Sequence, residues 1–541
     1  MKSLVYKDFG ITNAENFETM VSLPLANVYV MIGRSLPWAN ASNSSVLDDT
    51  NLPAPYDTVD YANQLARDGM IMKKITAADL QLVAPRVDWV ANTVYVAYNQ
   101  TTNLFVKTIS TTITGGNVNV SGALANTVVA NGINLAALTP DVISGTLITV
   151  GTETKEVHYV TPNGTFLRVN TAFANTYTSQ NLQVLTTSAV QYSNKFYVRN
   201  NMDQVFKCLF NNDGGLSSIM PEIALDGQLP ENPYIETADN YKWKYLYTIP
   251  SGLKNKFFTD KYMPVLRESI VYDNAVGGSI DIIKINSGGS GYYAGGSVNN
   301  YAIATVTGDG TRANVTVDVT SGVITDINIL DGGNNYTTAV VALNDPLQTS
   351  LGANANLSVV ISPSYGHGAY PVREIGASDI MVSVDFDGDL AGELPTESDG
   401  TDTMRQISII KDPQYANGAY ATSTYLPVFT ELSVSAPSVT FDHNAIVYSG
   451  SSYENAAFTA RVVHFDDETN LLLINNIAGN VNASISDTIY QYGNPLVTAK
   501  VFTVTKPGIN IFSGELLYVE NRAKITRSPD QTETTKLVVE F

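Results

Sequence analysis

Apolar and polar residues alternate along most of this chain, in short runs punctuated by Gly and Asn. A period of two suits an extended strand and not a helix. Asn314 to Val319 (NVTVDV) and Phe502 to Lys506 (FTVTK) are plain cases. Helical signals are few. Tyr56 to Lys74 reads as an amphipathic helix with Asp57 as its cap. Thr76-Ala77-Ala78-Asp79 has capping-box spacing ahead of Leu80, Leu82 and Val83, and Pro85 ends any helix there. Ala238 to Leu246 is a third helix candidate, although its aromatics suit a strand equally well. The expected fold class is mainly β with minor α (α+β).

The 541 residues suggest roughly three to four domains and ample chain for sizeable cores. Charged residues make up 15%, against about 25% in ordinary domains, so Thr, Asn, Ser and Tyr must cover much of the surface. The net charge is −20 and no basic run occurs, which disfavours nucleic acid and anionic lipid as partners. No apolar run approaches the ~18 residues of a membrane helix, and Asp8 and Glu15 interrupt any signal-like start. Cys208 is the only cysteine, which rules out an internal disulfide and fits assembly in a reducing cytoplasm. Within Val205-Phe206-Lys207-Cys208-Leu209 it reads as a small buried hydrophobe.

Motifs for chemistry fail on inspection. Gly308-Asp309-Gly310-Thr311-Arg312-Ala313 has the letters of a dinucleotide glycine pattern, but a strand follows where a helix is needed, so a hairpin turn is expected. Asp385-Phe386-Asp387-Gly388-Asp389 opens like a calcium loop, yet Leu390 and Thr396 occupy the positions that require Gly and Glu. His158, His367, His443 and His464 lie at no metal-ligand spacing. His367, between two glycines, is expected to be a backbone-bonded turn histidine. No nucleophile elbow is present. No cofactor, metal or enzymatic activity is expected. Tyr241, Trp243, Tyr245 and Tyr247 alternate, which puts all four on one strand face, as core or interface before glycan platform.

Several blocks share a likeness. Val28 to Ser35, with Gly33 and Arg34, leads to Pro37-Trp38; Met72-Lys73-Lys74-Ile75 and Pro85-Arg86-Val87-Asp88-Trp89 follow. Lys195 to Val198, Val205 to Leu209 and Tyr241 to Tyr247 come next, then Gly366-His367-Gly368, Pro371 to Ala377 and Arg405-Gln406-Ile407. The chain closes on Ser513 to Phe541, where an apolar strand runs into Glu520-Asn521-Arg522, a polar connection carries Arg527, Pro529 and Gln531, and Lys536 to Phe541 alternates to a tied-down end. In this order the blocks resemble a baseplate wedge subunit family of T-even-type contractile-tailed bacteriophages, over roughly half of the chain.

Three strand-rich stretches interrupt these blocks. The expected organisation is one discontinuous scaffold (1–98, 192–275, 363–431 and 507–541) carrying inserted β-sandwich or barrel-like modules at 99–191, 276–362 and 432–506. The middle module repeats itself at about 44 residues. Ile283-Lys284-Ile285 precedes Gly288-Gly289 and Tyr292, as Ile327-Asn328-Ile329 precedes Gly332-Gly333 and Tyr336. Two copies are too few for a solenoid, so a compact sandwich of two similar sheets is expected.

The resemblance implies a non-enzymatic structural subunit, a homodimer that bridges neighbouring wedge proteins and moves as a rigid body during contraction. It implies a place in the virion's tail baseplate after assembly in the host cytoplasm, with other wedge subunits and tail-fibre-associated proteins as partners. Gly33, Arg34, Trp38, Pro85, Arg86, Asp88, Trp89, Trp243, Tyr245, Glu520, Asn521, Arg522, Arg527 and Gln531 are the scaffold or interface candidates. The chain is longer than this family, and the three modules account for the excess. The alternative is a receptor- or glycan-binding tail protein, which would favour the Tyr-rich modules and a trimer.

Overall fold

The computed structural model describes residues 7–541 except 24–25, 40–48, 50–51, 99–106, 121–126, 132, 136–146, 162–163, 170–171, 189–195, 225–233, 351, 387–401, 480–486 and 528–532. Strands take 48% of it and helices 13%, so the chain is mainly β with minor α. It divides into two compact units. The first holds residues 1–84, 251–265 and 377–541; the second holds 85–250 and 266–376. Where a single scaffold was expected, its segments are therefore shared between two bodies. Three of the crossing points fall at Pro85, Pro250 and Gly376. Proline has no N–H to extend a ladder, and Gly376 takes a left-handed φ of 72°.

In the first unit a five-stranded antiparallel sheet runs in the order Tyr425–Pro427, Gly69–Lys74, Val28–Gly33, Asp402–Lys411, Glu515–Arg527. Val28–Gly33 (VYVMIG) is buried at every position, as a continuous apolar run with neighbours on both sides should be. The expected long helix from Tyr56 is cut short. Val59–Asp68 is helical, capped by Thr58 and not Asp57, its Oγ1 accepting from Tyr61 N at 3.2 Å. Gly69–Lys74 then pairs with Val28–Gly33, because four consecutive buried residues find more cover in a sheet than on one helix face. The capping box at Thr76 forms, but around a single 3-10 turn, Ala77–Asp79, and Leu80–Pro85 is a strand.

A second sheet orders Tyr262–Pro264, Leu80–Pro85, Asp379–Phe386 and Glu533–Glu540. The last strand pairs with Asp379–Phe386 over eight positions. The Phe541 ring packs 5.6 Å from that of Phe17, tilted at 47°, so the closing residue is held. Phe17 belongs to Lys7–Ser22, a helix that periodicity did not suggest, with Ile11, Ala14, Phe17 and Val21 buried.

In the second unit the strands Tyr197–Arg199, Gln204–Asn211, Tyr241–Thr248 and Ile235–Glu236 form one sheet. Tyr241, Trp243 and Tyr245 enter one core with Tyr95, Phe206 and Cys208. Tyr247 is also buried but lies outside that cluster, past the bulge at Val205/Phe206 where Gln204–Asn211 slips against this strand.

Each of the three strand-rich stretches is closed on itself. Lys107–Val120 to Tyr177–Ser188 makes a six-stranded closed barrel in the second unit, and Thr430–Val434 to Asn494–Thr505 makes another in the first. Ile280–Ser287 to Asn356–Ile361 contains three small sheets. In all three the first strand pairs with the last, so the chain leaves and returns at neighbouring points. Such a stem lets a module sit in a host fold with little distortion.

The middle module is not a sandwich of two sheets. Its two Gly-Gly copies interlock instead: Ile280 N donates to Gly332 O at 2.8 Å, and Ile324 N to Gly288 O at 3.0 Å. Tyr292 N likewise donates to Gly322 O, and Tyr336 N to Gly278 O, both at 3.0 Å. Gly289 and Gly333 both hold φ of 64°. Each copy thus completes the other, which explains how two repeats suffice. The Gly308–Ala313 segment is no hairpin. It links Ala304–Gly308, paired with Ala339–Leu343, to Asn314–Thr320, which pairs elsewhere. Asp309 Oδ1 meanwhile accepts from Thr337 N and Thr338 N, both at 2.9 Å. Of the calcium-like segment, Asp385 and Phe386 end a strand, and 387–389 lie outside the described residues.

Candidate functional site

The most concentrated chemistry among the described residues is a set of buried ions in the second unit. Lys207, on Gln204–Asn211, stands opposite Lys244 on Tyr241–Thr248. Lys207 Nζ lies 3.1 Å from Glu374 Oε1, with side chains 1% and 0% exposed. Glu374 belongs to the short helix Pro371–Ile375, which begins with proline at its first turn and ends on left-handed Gly376. The other Glu374 oxygen accepts from Gly368 N at 2.6 Å, and Oε1 also meets His367 Nδ1. His367 Nε2 faces Asp281 Oδ2 at 3.1 Å. Tyr98 closes the set, its ring 3.9 Å below Lys207 Nζ and edge-on to His367 at 5.0 Å.

His367 is thus no backbone-bonded turn histidine; its two ring nitrogens face two carboxylates. Gly366 and Gly368 bring it there with φ of 84° and 82°, and a Cβ on Gly368 would meet Val271 Cγ1 at 2.2 Å. Sequence reasoning missed Lys207, Lys244, Asp281 and Glu374. The available signal was a lysine at the centre of the apolar run Val205 to Leu209.

Burial alone would raise the Glu374 carboxyl. Lys207 and His367, with hydrogen bonds from His367 and Gly368 N, outweigh burial and hold it at about 2. Burial pulls Lys207 down from the ordinary lysine value, against Glu374 and Asp281. Burial also lowers Lys244, which the same two carboxylates oppose. The two shifts on the Lys207–Glu374 pair point opposite ways: the carboxylate gains from the contact, while the ammonium is still strained by desolvation. A fully enclosed ion pair loses much when one partner is removed, which ties the segments that carry the two charges to each other. Here the Lys207–Glu374 pair joins the strand Gln204–Asn211 to the 366–375 segment, and His367 brings that segment against Asp281 of the stem strand Ile280–Ser287.

The residues singled out by sequence do not form one site. In the first unit Arg34 Nη1 pairs with Asp68 Oδ2 at 2.5 Å, and its guanidinium lies 4.0 Å over the Trp38 ring. Trp38 Nε1 donates to Arg522 O at 2.7 Å. Asn521 Oδ1 accepts from Tyr61 Oη and Gln406 Nε2, both at 2.8 Å, and Asn521 Nδ2 donates to Pro53 O at 2.9 Å. Arg522 Nη2 pairs with Glu520 at 3.1 Å. Gly33 permits close passage, since a Cβ there would lie 2.9 Å from Asp68 O. Arg527 ends the strand Glu515–Arg527, and Gln531 lies outside the described residues.

The rest fall in the second unit. Asp88 joins Arg86 (2.5 Å) and Arg199 (2.8 Å), and Arg199 also pairs with Asp203. Burial opposes ionisation of Asp88, but those two guanidiniums hold its carboxyl below the ordinary range. Tyr197 Oη donates to Pro85 O at 2.6 Å, and Trp89 Nε1 to Ser217 Oγ at 3.1 Å. Trp243 and Tyr245 are core residues, Trp243 stacked 5.4 Å from Tyr241. No family model matches this chain, and no curated protein matches it.

Proposed function

We propose that this chain is a structural subunit of the tail baseplate wedge of a T-even-type contractile phage. It assembles as a homodimer in the host cytoplasm, bridges neighbouring wedge proteins in the virion, and moves as a body when the tail contracts. One observation supports this reading above others. The family-like blocks at opposite ends of the chain meet in a single knot, where Trp38 donates to the Arg522 carbonyl and Asn521 takes Tyr61 and Gln406. Polar side chains committed to joining distant segments suit a part that transmits force and must keep its shape. Rigid-body displacement with exchange of edge contacts is the matching mode of switching.

A two-fold dimer would use one self-complementary patch twice, and an obligate interface commonly exceeds about 2,000 Å². Sedimentation equilibrium of the purified chain tests the assembly: a dimer is expected, and a trimer would favour the receptor-binding reading. Capture of the tagged chain from infected cells tests the role. Recovery of other wedge subunits or tail-fibre-associated proteins supports it; their absence, with host polysaccharide recovered instead, overturns it.

A further inference from the structure

Four tyrosines share the outside of the 430–505 barrel. Tyr448, on Ile446–Ser449, stands opposite Tyr490, on Thr488–Gln491. Strand alternation turns both outward while their neighbours Val447 and Ile489 fill the barrel. Their rings stack 5.6 Å apart at 29°. Tyr453 sets its edge against Tyr448 at 6.0 Å and lies 4.3 Å from Tyr492. Tyr453 and Tyr492 are 38% and 54% exposed, so the group opens to solvent. Single exposed aromatics need no explanation, but a contiguous set is a mark of binding surfaces.

The chemistry of the row selects among ligands. Its register runs Thr459, Tyr448, Tyr490, Thr498 across four strands, with hydroxyls throughout and no carboxylate or basic side chain. Lys500 and Arg461 stand one same-face step away, and Arg461 Nη1 is engaged with Asn444 O at 3.1 Å. A charged ligand finds no counter-ion within the row, and the net charge of −20 repels polyanions at longer range. A polyproline segment needs slots between aromatic rings, whereas these rings lie against one another. An uncharged glycan matches both surfaces the row offers. The C–H faces of pyranose rings lie on aromatic rings, and sugar hydroxyls meet phenol and threonine hydroxyls. Rings already braced by their neighbours lose little freedom when they bind.

We infer that this tyrosine face is a binding site for an uncharged glycan, a role additional to the wedge reading and independent of it. The full chain would be run in native gels cast with hydroxyethyl cellulose, soluble starch or glycol chitin, and titrated calorimetrically with cellohexaose, maltohexaose and chitohexaose. Retardation by at least one neutral polymer is expected. Tyr448→Ala/Tyr490→Ala should weaken binding at least tenfold, and Tyr448→Phe/Tyr490→Phe should weaken it less. Tyr453→Ala/Tyr492→Ala, outside the strand registers, repeats the test where the first double variant melts early. Binding to none of the three neutral polymers overturns the inference, as does binding that both alanine variants retain. None of these outcomes bears on dimer formation or capture of wedge subunits.

Discussion

Lys207 and Glu374, 167 positions apart in sequence, form a 3.1 Å ion pair in which both side chains are closed off from water. Removing one partner of such a pair strands the other charge, at a cost of about 3–5 kcal/mol, while replacing both by apolar groups is often close to neutral. Lys207→Met is therefore expected to lower stability by about 3–5 kcal/mol. Lys207→Met/Glu374→Leu should recover part of that loss. Urea denaturation followed by Trp fluorescence reads both, since Trp243 lies in the core of the same unit. A double variant no better than the single one would show that the remaining members of the set, His367 and Asp281, need Glu374 as much as Lys207 does.

The same carboxylate sets a pH dependence. The folded value for Glu374 is about 2 against an ordinary 4.5. A depressed acid contributes stability that is fully present above its unfolded value and is lost as pH falls toward its folded value. The contribution from Glu374, up to about 3 kcal/mol, should therefore disappear between about pH 4.5 and 2. Other carboxylates titrate in that window, so the quantity to measure is a difference. Glu374→Gln should give a shallower fall in unfolding free energy over that range than the parent chain. Parallel curves for the two would contradict the assignment.

The legible parts of this fold were those governed by local period. NVTVDV became Asn314–Thr320, and the alternating tail became a strand paired over eight positions. The repeat was visible because its glycines are required by backbone geometry at Gly289 and Gly333. Partner choice was not legible. Gly69–Lys74 continues a helical pattern in sequence, and only the neighbouring strand Val28–Gly33 makes it extended. The buried ions were hidden for the same reason: Asp281 and Glu374 gain meaning only from Lys207, which sequence distance conceals. Trp38 and Asn521 were found by likeness, but their joint hydrogen-bonded knot is a tertiary fact.

The interlocked repeat predicts matched effects from matched substitutions. A Cβ on Gly289 would lie 2.4 Å from Ala353 O, and one on Gly333 would lie 2.3 Å from Thr311 O, both at φ of 64°. Gly295 has φ of 81° with open space around it. Gly295→Ala should cost only the left-handed strain, about 1–2 kcal/mol. Gly289→Ala and Gly333→Ala add a backbone clash and should each cost about 2–5 kcal/mol. Thermal unfolding of the three variants would reveal an ordering. Equal melting of all three would show that the close backbone approach at Gly289 and Gly333 costs nothing beyond the left-handed strain.

Two tryptophans from the family-like blocks should respond unequally to phenylalanine. Trp38 is 4% exposed and its Nε1–H satisfies the Arg522 carbonyl. Trp38→Phe keeps a ring for Arg34 to cover but leaves that carbonyl unpaired, at about 1–3 kcal/mol. Trp89 is only half-buried, and its bond to the buried Ser217 Oγ is the longer of the two, at 3.1 Å against 2.7 Å. Trp89→Phe should cost about 0.5–1 kcal/mol. Chemical denaturation at neutral pH gives the comparison, and a larger loss for Trp89 would reverse the ranking of the two contacts.

Cys208 offers a direct probe of how tightly the second unit is closed. Its side chain is fully buried in the core with Tyr95, Phe206 and Trp243. Burial pushes its thiol well above the ordinary range, so little thiolate exists near neutrality. Reaction with a thiol-specific disulfide reagent at pH 8 should be negligible in the native protein and should rise along the urea unfolding transition. Opening of this core would then set the labelling rate, as expected for a group reachable only through unfolding. Lys207→Met loosens the same strand and should accelerate labelling in proportion to its loss of stability. Stoichiometric labelling of the parent chain within seconds, without denaturant, would mean that the aromatic core and the ion pair beside it open far more readily than their burial implies.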